Sequence, residues 1–301
     1  MAALAQPDPV AALDRLAHTY VRETYPYSSY DPKSDMYFSD LDGDWDADGD
    51  GRFGEVADNV DGYADVFVGM ITVTDHSELS NYLAKIFAYE FEPELGDWTT
   101  KDLLPNGVTF SNEYNDSIAN ASPTPPWFDL KMYTSGGQVT PSPQKFVDSL
   151  NSGYSFASII AHGSPDLFQL GGNVTSPMMT GMTNAGRLNF STYVCCNTGE
   201  WDLGGTNGDC IAENMVVHAE NGFIGVLKND KSGWVACAEL INFAVGFGVM
   251  GYHVPRQVTM GQALSYGRDF WAWCIDDSAK YRMEVMERNL FGEPAVPVWT
   301  A

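Results

Sequence analysis

The chain has 301 residues, enough for one large α/β unit or two ordinary domains with a sizeable core. Its 40 acidic side chains outnumber 16 basic ones, a formal net charge of −24. That balance disfavours nucleic acid and anionic membrane as partners and suits cationic ligands, metal ions included. No apolar run approaches the ~18 residues of a membrane span, the N-terminus lacks the pattern of a secretory signal, and five cysteines, an odd number, argue against a disulfide framework.

In chain order, Pro9 to Thr24 has the spacing of an amphipathic helix, with Leu13, Leu16 and Tyr20 on one face. A Tyr/Pro/Ser-rich loop follows, and Met36 to Ser39 reads as a short strand. Asp65 to Met70 reads as a buried strand. Ser77 to Glu90 reads as a helix carrying Leu79, Leu83, Ile86 and Phe87 inward. Phe91 to Pro105, rich in Pro, Asp and Trp, reads as a connection. It divides an N-terminal subdomain (1–93) from a larger second subdomain (94–301). Next come a strand Gly107 to Ser111 ending at Asn112-Glu113, a polar loop to Trp127, a strand Lys131 to Tyr133 and a helix Pro143 to Asn151. The strand Phe156 to Ala161, a Gly/Met/Asn-rich loop and the strand Phe190 to Val194 come after them. A helix Cys210 to Glu220 and a strand Gly222 to Leu227 precede three helices, Ala236 to Phe247, Thr259 to Trp273 and Ala279 to Arg288. The alternation predicts an α/β fold, a mostly parallel sheet with helices on both faces.

Within the acidic run, Asp44-Trp-Asp46-Ala-Asp48-Gly49 and Glu55 match the twelve-residue calcium loop D-x-D-x-D-G-x5-E. Alternate carboxylates converge on one cation, Gly49 permits the sharp turn, Asp50 sits at the seventh position, and Glu55 closes the shell. Six aspartates between Asp40 and Asp50 repel one another without a counter-ion. The flanks do not read as paired helices, so a lone structural Ca²⁺ loop is expected, with no organic cofactor.

Two apolar runs end at chemistry. Phe156 to Ala161 ends at His162-Gly163, and Phe190 to Val194 ends at Cys195-Cys196 before an Asn-Thr-Gly turn. Parallel strands deliver such residues to the carboxyl edge of a sheet. A thiolate is a nucleophile and an imidazole the usual base that generates it. Alternation sends the two cysteines to opposite faces. Cys196, at the very end, is the exposed candidate, and Cys195 packs inward. The order, His first and Cys 34 residues later, excludes a papain-like arrangement. There is no G-x-S-x-G elbow and no zinc-type Cys/His spacing.

These motifs resemble the clan of caspase-like and legumain-like cysteine peptidases, and more closely the gingipain family. The resemblance includes AHGSP (Ala161 to Pro165), CNTGEW (Cys196 to Trp201), YFSDLDGDWDADGDGRFGE (Tyr37 to Glu55), CIAENM (Cys210 to Met215), GFIGVLKNDKSGW (Gly222 to Trp234) and NLFGEPAVPVW (Asn289 to Trp299). It implies a caspase-like three-layer fold with a small, partial N-terminal α/β subdomain, and endopeptidase activity through a thioester. It implies Cys196 as nucleophile, His162 as acid/base, and the amides of Gly163 and Cys196 as oxyanion donors. Glu113 would orient the imidazole, and Trp234 would line the primary specificity pocket. The acid that selects Arg or Lys is left open between Asp116 and Asp230, with Lys228 expected at the mouth of the same pocket. The resemblance further implies a peptide or protein substrate and a secreted or cell-surface setting. The competing readings are a calcium-stabilised but silent binding module, and a self-processing enzyme.

Overall fold

The computed structural model describes residues 32–122, 127–202, 205, 208–251, 258–276 and 279–299. The helix expected over residues 9–24 lies outside them. Among the described residues, one six-stranded sheet organises the chain. Its strands are β1 (Lys101–Pro105), β2 (Phe128–Met132), β3 (Phe156–Ile160), β7 (Asn189–Val194), β8 (Phe223–Asn229) and β9 (Arg288–Phe291), in the order β2-β1-β3-β7-β8-β9. All neighbours are parallel except the antiparallel edge pair β8 and β9. The three central strands, FASII, NFSTYV and FIGVLKN, are buried throughout. That is why they read as near-continuous apolar runs, since helices cover both faces of a parallel sheet. A small antiparallel sheet of β4 (Gly163–Ser164), β5 (Leu167–Gln169) and β6 (Asn173–Thr175) grows directly from the His162 turn.

Seven helices matter for the site: α1 (His76–Phe91), α2 (Glu113–Ala121), α3 (Pro143–Ser152), α4 (Ser176–Thr180), α5 (Val235–Gly251), α6 (Met260–Ala272) and α7 (Ala279–Glu287). One core packs Ile118 of α2, Ile241 and Val245 of α5 and Leu264 of α6 against Phe156, Phe190 and Ile224. The opposite core packs Phe146 and Leu150 of α3 and Met215 against Ala157, Ile159, Tyr193 and Val226. Met215 lies in a turn, Asn214–His218, that widens into π-helix.

A buried polar ladder fixes α2 and α5 on one face of the sheet. The Asn115 amide donates to Asn106 Oδ1 at 2.6 Å, and Ser158 Oγ donates to Asn115 Oδ1 at 2.6 Å. Asn242 donates to Ser158 Oγ at 2.6 Å and accepts from Thr192. Each group is satisfied by another, which lets polar residues sit in strands that are otherwise apolar.

Several expectations are corrected. The segment read as a connection, Phe91 to Pro105, contains β1, which pairs with both β2 and β3. Its apolar run is only Leu103-Leu104, too short to stand out. Residues 107–112 turn towards α2, so Glu113 opens a helix and does not end a strand. Met36–Ser39 is a single helical turn. Asp65 to Met70 forms no strand beyond one bridge, Met70 to Phe291, and Val66 and Phe67 are exposed. The loop expected between Asp166 and Arg187 contains β5, β6 and α4.

Helix α1 turns a different face inward. Tyr82, Lys85 and Tyr89 are buried, whereas Leu79, Leu83 and Phe87 are exposed. The inner face meets backbone groups that need partners. Tyr82 Oη donates to Ile224 O at 3.1 Å, Lys85 Nζ donates to Phe223 O at 3.1 Å and to Val216 O, and Tyr89 Oη accepts from Trp299 N at 3.1 Å. Long side chains with polar tips satisfy that surface; leucine would not. The helix is capped by Asp75, whose carboxylate accepts from the amides of Ser77 and Glu78.

Residues 32–93 are wired into the rest of the fold. Asp35 pairs with Arg268 at 2.7 Å, both buried, and Met70 N donates to Leu290 O at 2.7 Å.

Candidate active site

The register Ile160↔Val194 and the bond from Ala161 N to Val194 O, 3.0 Å, bring the ends of β3 and β7 level. His162 and Cys196 therefore leave adjacent strands at the same height. Alternation separates the two cysteines as expected. Cys195 is buried with Tyr193 in the α3-side core, and burial pushes its thiol up to about 12. Cys196 is half-buried on the other side. Burial also raises its thiol, the carboxyls of Glu287 and Glu284 add to the rise, and the Gly233 amide, donating to the sulfur, opposes it.

The turn that follows Cys196 is tightly specified. Asn197 adopts φ +57, a left-handed conformation that Asn tolerates. Its side chain donates to Glu200 Oε2 at 2.6 Å and accepts from Ser232 Oγ at 2.9 Å. Its amide donates to Lys231 O at 3.0 Å, and Gly199 N donates to Asn229 O at 2.9 Å. The 229–234 loop thus lines one side of Cys196.

His162 is exposed. Thr109 Oγ1 lies 3.3 Å from its Nε2, and the Phe110 ring lies 4.7 Å from the imidazole centroid. Glu113 stands on the first turn of α2, exposed. Among the described residues the imidazole's hydrogen-bond partner is Thr109, and the charge of Glu113 acts on Glu239 and Tyr114.

Glu239 is the residue that sequence reasoning missed. It sits in α5 five positions after Trp234, 4% exposed, with Oε1 buried and without a hydrogen-bond partner among the described residues. Burial and then the charge of Glu113 push its carboxyl up to about 7. The preceding residue, Ala238, packs on Val194 and Ile160, with Phe110 and Tyr114 alongside. That places the first turns of α2 and α5 together over the strand ends that carry His162 and Cys196. In the sequence, the only sign was an acid in an apolar helical run, VACAEL.

The other expected pocket residues are dispersed. Asp116 is ion-paired to Lys131 at 2.8 Å. Asp230 is fully buried, accepts from Lys33 N at 2.7 Å, and is pushed up to about 7 by burial. Trp234 is half-buried, its amide donating to Glu284 and its ring under Lys280 Nζ at 4.6 Å. Lys228 is not at a pocket mouth. It is fully buried, with Nζ 3.2 Å from the Tyr193 ring centroid, and burial lowers its ammonium to about 7. The pairing of β7 with β8 skips Ile224, a bulge that re-phases β8 and turns Lys228 to the opposite face.

The acidic loop has the geometry of a cation site in part. Carboxylate oxygens of Asp46, Asp48 and Asp50 lie within 4.8 Å of one another, and Gly49 takes φ +75. Asp44 accepts from Asp46 N at 3.3 Å. Glu55 is pushed up by burial and by the charges of Asp50 and Asp48, and Arg52 lies 3.9 Å from it. Oxygen-only donors with unbalanced negative charge fit a hard divalent cation. Asp40, Asp42 and Asp65 make a second carboxylate group nearby.

A parallel sheet with helices on both faces, and a histidine and a cysteine closing neighbouring strands, define a caspase-like fold. The family model of Peptidase family C25 matches residues 9–299, so the chain belongs to that family. The fold is similar to the complex of Porphyromonas gingivalis RgpB pro- and mature domains, at TM-score 0.68 and 19% identity over 88% of this chain and 60% of that one. It is also similar to the Arg-specific cysteine proteinase gingipain R (RgpB), at TM-score 0.68 and 18% identity over 92% of this chain and 61% of that one. The chain thus spans about 60% of the length of these relatives. No curated protein matches the sequence.

Proposed function

We propose that the chain is a cysteine endopeptidase acting through Cys196 and His162. The observation that supports it most is the level pairing of β3 and β7, which sets imidazole and half-buried thiol on adjacent strand ends while Cys195 is sequestered. Cys196 Sγ attacks the scissile carbonyl as His162 takes the thiol proton. His162 then returns that proton to the leaving amine, and water hydrolyses the thioester. The amides of Gly163 and Cys196 hold the oxyanion, each such donor being worth roughly 3 kcal/mol. Glu113 supports the histidine by its charge from the adjoining helix turn, the imidazole's hydrogen bond going to Thr109. A peptide with Arg or Lys before the scissile bond suits the site. The carboxylate available to it is Glu239, backed by Glu113 and walled by Trp234. Asp116 already holds Lys131, and Asp230 lies beneath the chain at Lys33.

Asp44, Asp46, Asp48, Asp50 and Glu55 are the ligands of a structural Ca²⁺, and an extracellular setting supplies calcium at the level such loops need. A second reading, a silent or self-processing module, is favoured by the surroundings of Cys196, where burial and the carboxyls of Glu287 and Glu284 raise the thiol and disfavour the thiolate. Cleavage of a fluorogenic peptide library by wild type and Cys196→Ala, with calcium and thiol present, separates the two. Turnover confined to wild type supports the peptidase. No turnover from folded wild type supports the second reading.

A further inference from the structure

Behind Cys196 lies a pair of fully buried acids that the chemistry above does not use. Glu284 and Glu287 sit one turn apart on α7, and both carboxyl groups accept from the same Asn229 Nδ2, at 3.0 and 2.7 Å, which sets them side by side. Two carboxyls this close and this deeply buried do not both ionise, so one of them retains its proton.

All four carboxyl oxygens accept from the 229–234 loop. Glu284 accepts from Trp234 N and, at 3.0 Å, from Asn229 Nδ2. Glu287 accepts from Asn229 Nδ2 at 2.7 Å and from Lys231 N at 3.1 Å. The Glu287 carbonyl accepts from Asp230 N at 3.1 Å. Gly233 leaves room for this arrangement: a β-carbon there would lie 2.9 Å from Glu284 Oε1. The loop's other edge binds the nucleophile turn through Lys231 O and Asn229 O, and Gly233 N donates to the Cys196 sulfur. The loop is therefore held between the acid pair and the thiol.

The charge of Arg288 favours ionisation of both carboxyls, but burial outweighs it, and the guanidinium donates its hydrogen bonds to the carbonyls of Tyr193 and Ala238. Lys231 sends its Nζ to Glu200. Asp230, Cys237 and Cys196 add negative charge or compete for the same proton.

We propose that Glu284 and Glu287, sharing one proton, are positioning residues that hold the 229–234 loop against Cys196, and that loss of this proton at alkaline pH loosens the loop and suppresses the thiolate. The proposal rests on Cys196 being the nucleophile of the preceding section. It concerns what sets the reactivity of that sulfur and does not depend on the substrate.

The test reads Cys196 directly. Wild type, Glu287→Gln and Glu284→Gln are alkylated with iodoacetamide from about pH 5 to about pH 10, and labelling of Cys196 is followed by peptide mapping. Amide exchange of residues 229–234 is measured over the same range. Glutamine keeps a neutral hydrogen-bonding group but cannot ionise. The alkylation midpoint is expected to fall by about half a unit or more in both variants. Loop protection, corrected for intrinsic exchange, declines with pH in wild type and stays level in the variants. Glu287→Ala is expected to lose protection at every pH. One shared alkylation profile and identical protection in wild type and whichever glutamine variant folds would overturn the proposal. Normal, Glu287-dependent alkylation without any peptide cleavage would uphold the clamp and defeat the peptidase reading, so the two fail separately.

Discussion

Gly163 lies directly against the carbonyl of Cys196. A β-carbon at Gly163 would come within 2.7 Å of Cys196 O, within 2.7 Å of Thr198 Cγ2 and 3.0 Å from Cys195 Cβ. Two of these neighbours belong to the turn at Cys196, which Asn197, Glu200 and Lys231 hold in place. Gly163→Ala must therefore displace backbone, at a cost of roughly 1–3 kcal/mol in stability. It would also shift the His162 turn relative to Cys196, and displacements near 1 Å cost about 100-fold in rate. Peptidase turnover and the melting temperature, measured together, check this. Retained turnover would mean that the turn is not part of the site.

The two adjacent cysteines should differ sharply in reactivity. Burial pushes Cys195 up to about 12, and it faces the α3-side core, whereas Cys196 is half-buried beside the Gly233 amide. Iodoacetamide at neutral pH should label Cys196 and leave Cys195 unmodified. Cys195→Ala should keep activity at a stability cost of about 1 kcal/mol, while Cys196→Ala abolishes it. Preferential labelling of Cys195 would reverse the assignment.

Much of this arrangement was legible because strand burial leaves a plain mark. FASII and NFSTYV are buried throughout, read as near-continuous apolar runs, and end where polar chemistry begins, so the pattern made His162 and Cys196 candidates and the family resemblance supplied the roles expected of them. β1 was not legible, since its pairing depends on neighbours β2 and β3 and not on its own two leucines. The inward face of α1 was misread because it meets backbone carbonyls, where Lys85 and two tyrosines serve better than leucine. The orientation of Lys228 turned on one bulged residue, Ile224, and a single-residue slip inverts every side chain that follows. Glu239 required three-dimensional proximity between α2 and α5, which no local pattern encodes.

Lys85 makes stability depend on pH in a predictable direction. Burial lowers its ammonium to about 7, against an ordinary value of 10.5. Between these values the unfolded chain binds a proton that the native state does not, so stability rises as pH rises from about 7 towards 10.5 and is flat below. Lys85→Met removes this dependence. The difference in urea-unfolding free energy between wild type and Lys85→Met should grow by a few kcal/mol across that window. A constant difference would show that the amine stays charged in the fold.

Chelation should lower the melting temperature if the 44–55 loop holds calcium. A ligand at 100 times its dissociation constant adds about 2.7 kcal/mol, which is worth several degrees in a chain of this size. Asp48→Asn should weaken the response to added calcium, since Asp48 faces both Asp46 and Asp50. Glu55 carries a raised carboxyl, so proton and metal compete, and calcium stabilisation should fade as pH drops through the carboxylate range. Scanning calorimetry with and without chelator decides it. An unchanged transition would leave the loop as solvated acid.

The last prediction concerns specificity. Among the described residues Glu239 Oε1 is buried without a hydrogen-bond partner, and burial and the charge of Glu113 push the carboxyl up to about 7, so in the free site it is only partly ionised beside the strand ends. A cationic side chain entering between α2 and α5 would supply the missing charge, and a carboxylate paired in low dielectric binds far more strongly than at the surface. Glu239→Gln keeps the shape and removes the charge. The ratio of kcat/KM for peptides with Arg or Lys before the scissile bond to that for apolar ones should fall at least about tenfold, equivalent to about 1.4 kcal/mol. Asp116→Asn, whose carboxylate already holds Lys131, should leave the ratio unchanged. If Asp116→Asn collapses the preference and Glu239→Gln does not, the anchoring carboxylate belongs on the outer face of α2, and the Lys131 pair must open when substrate binds.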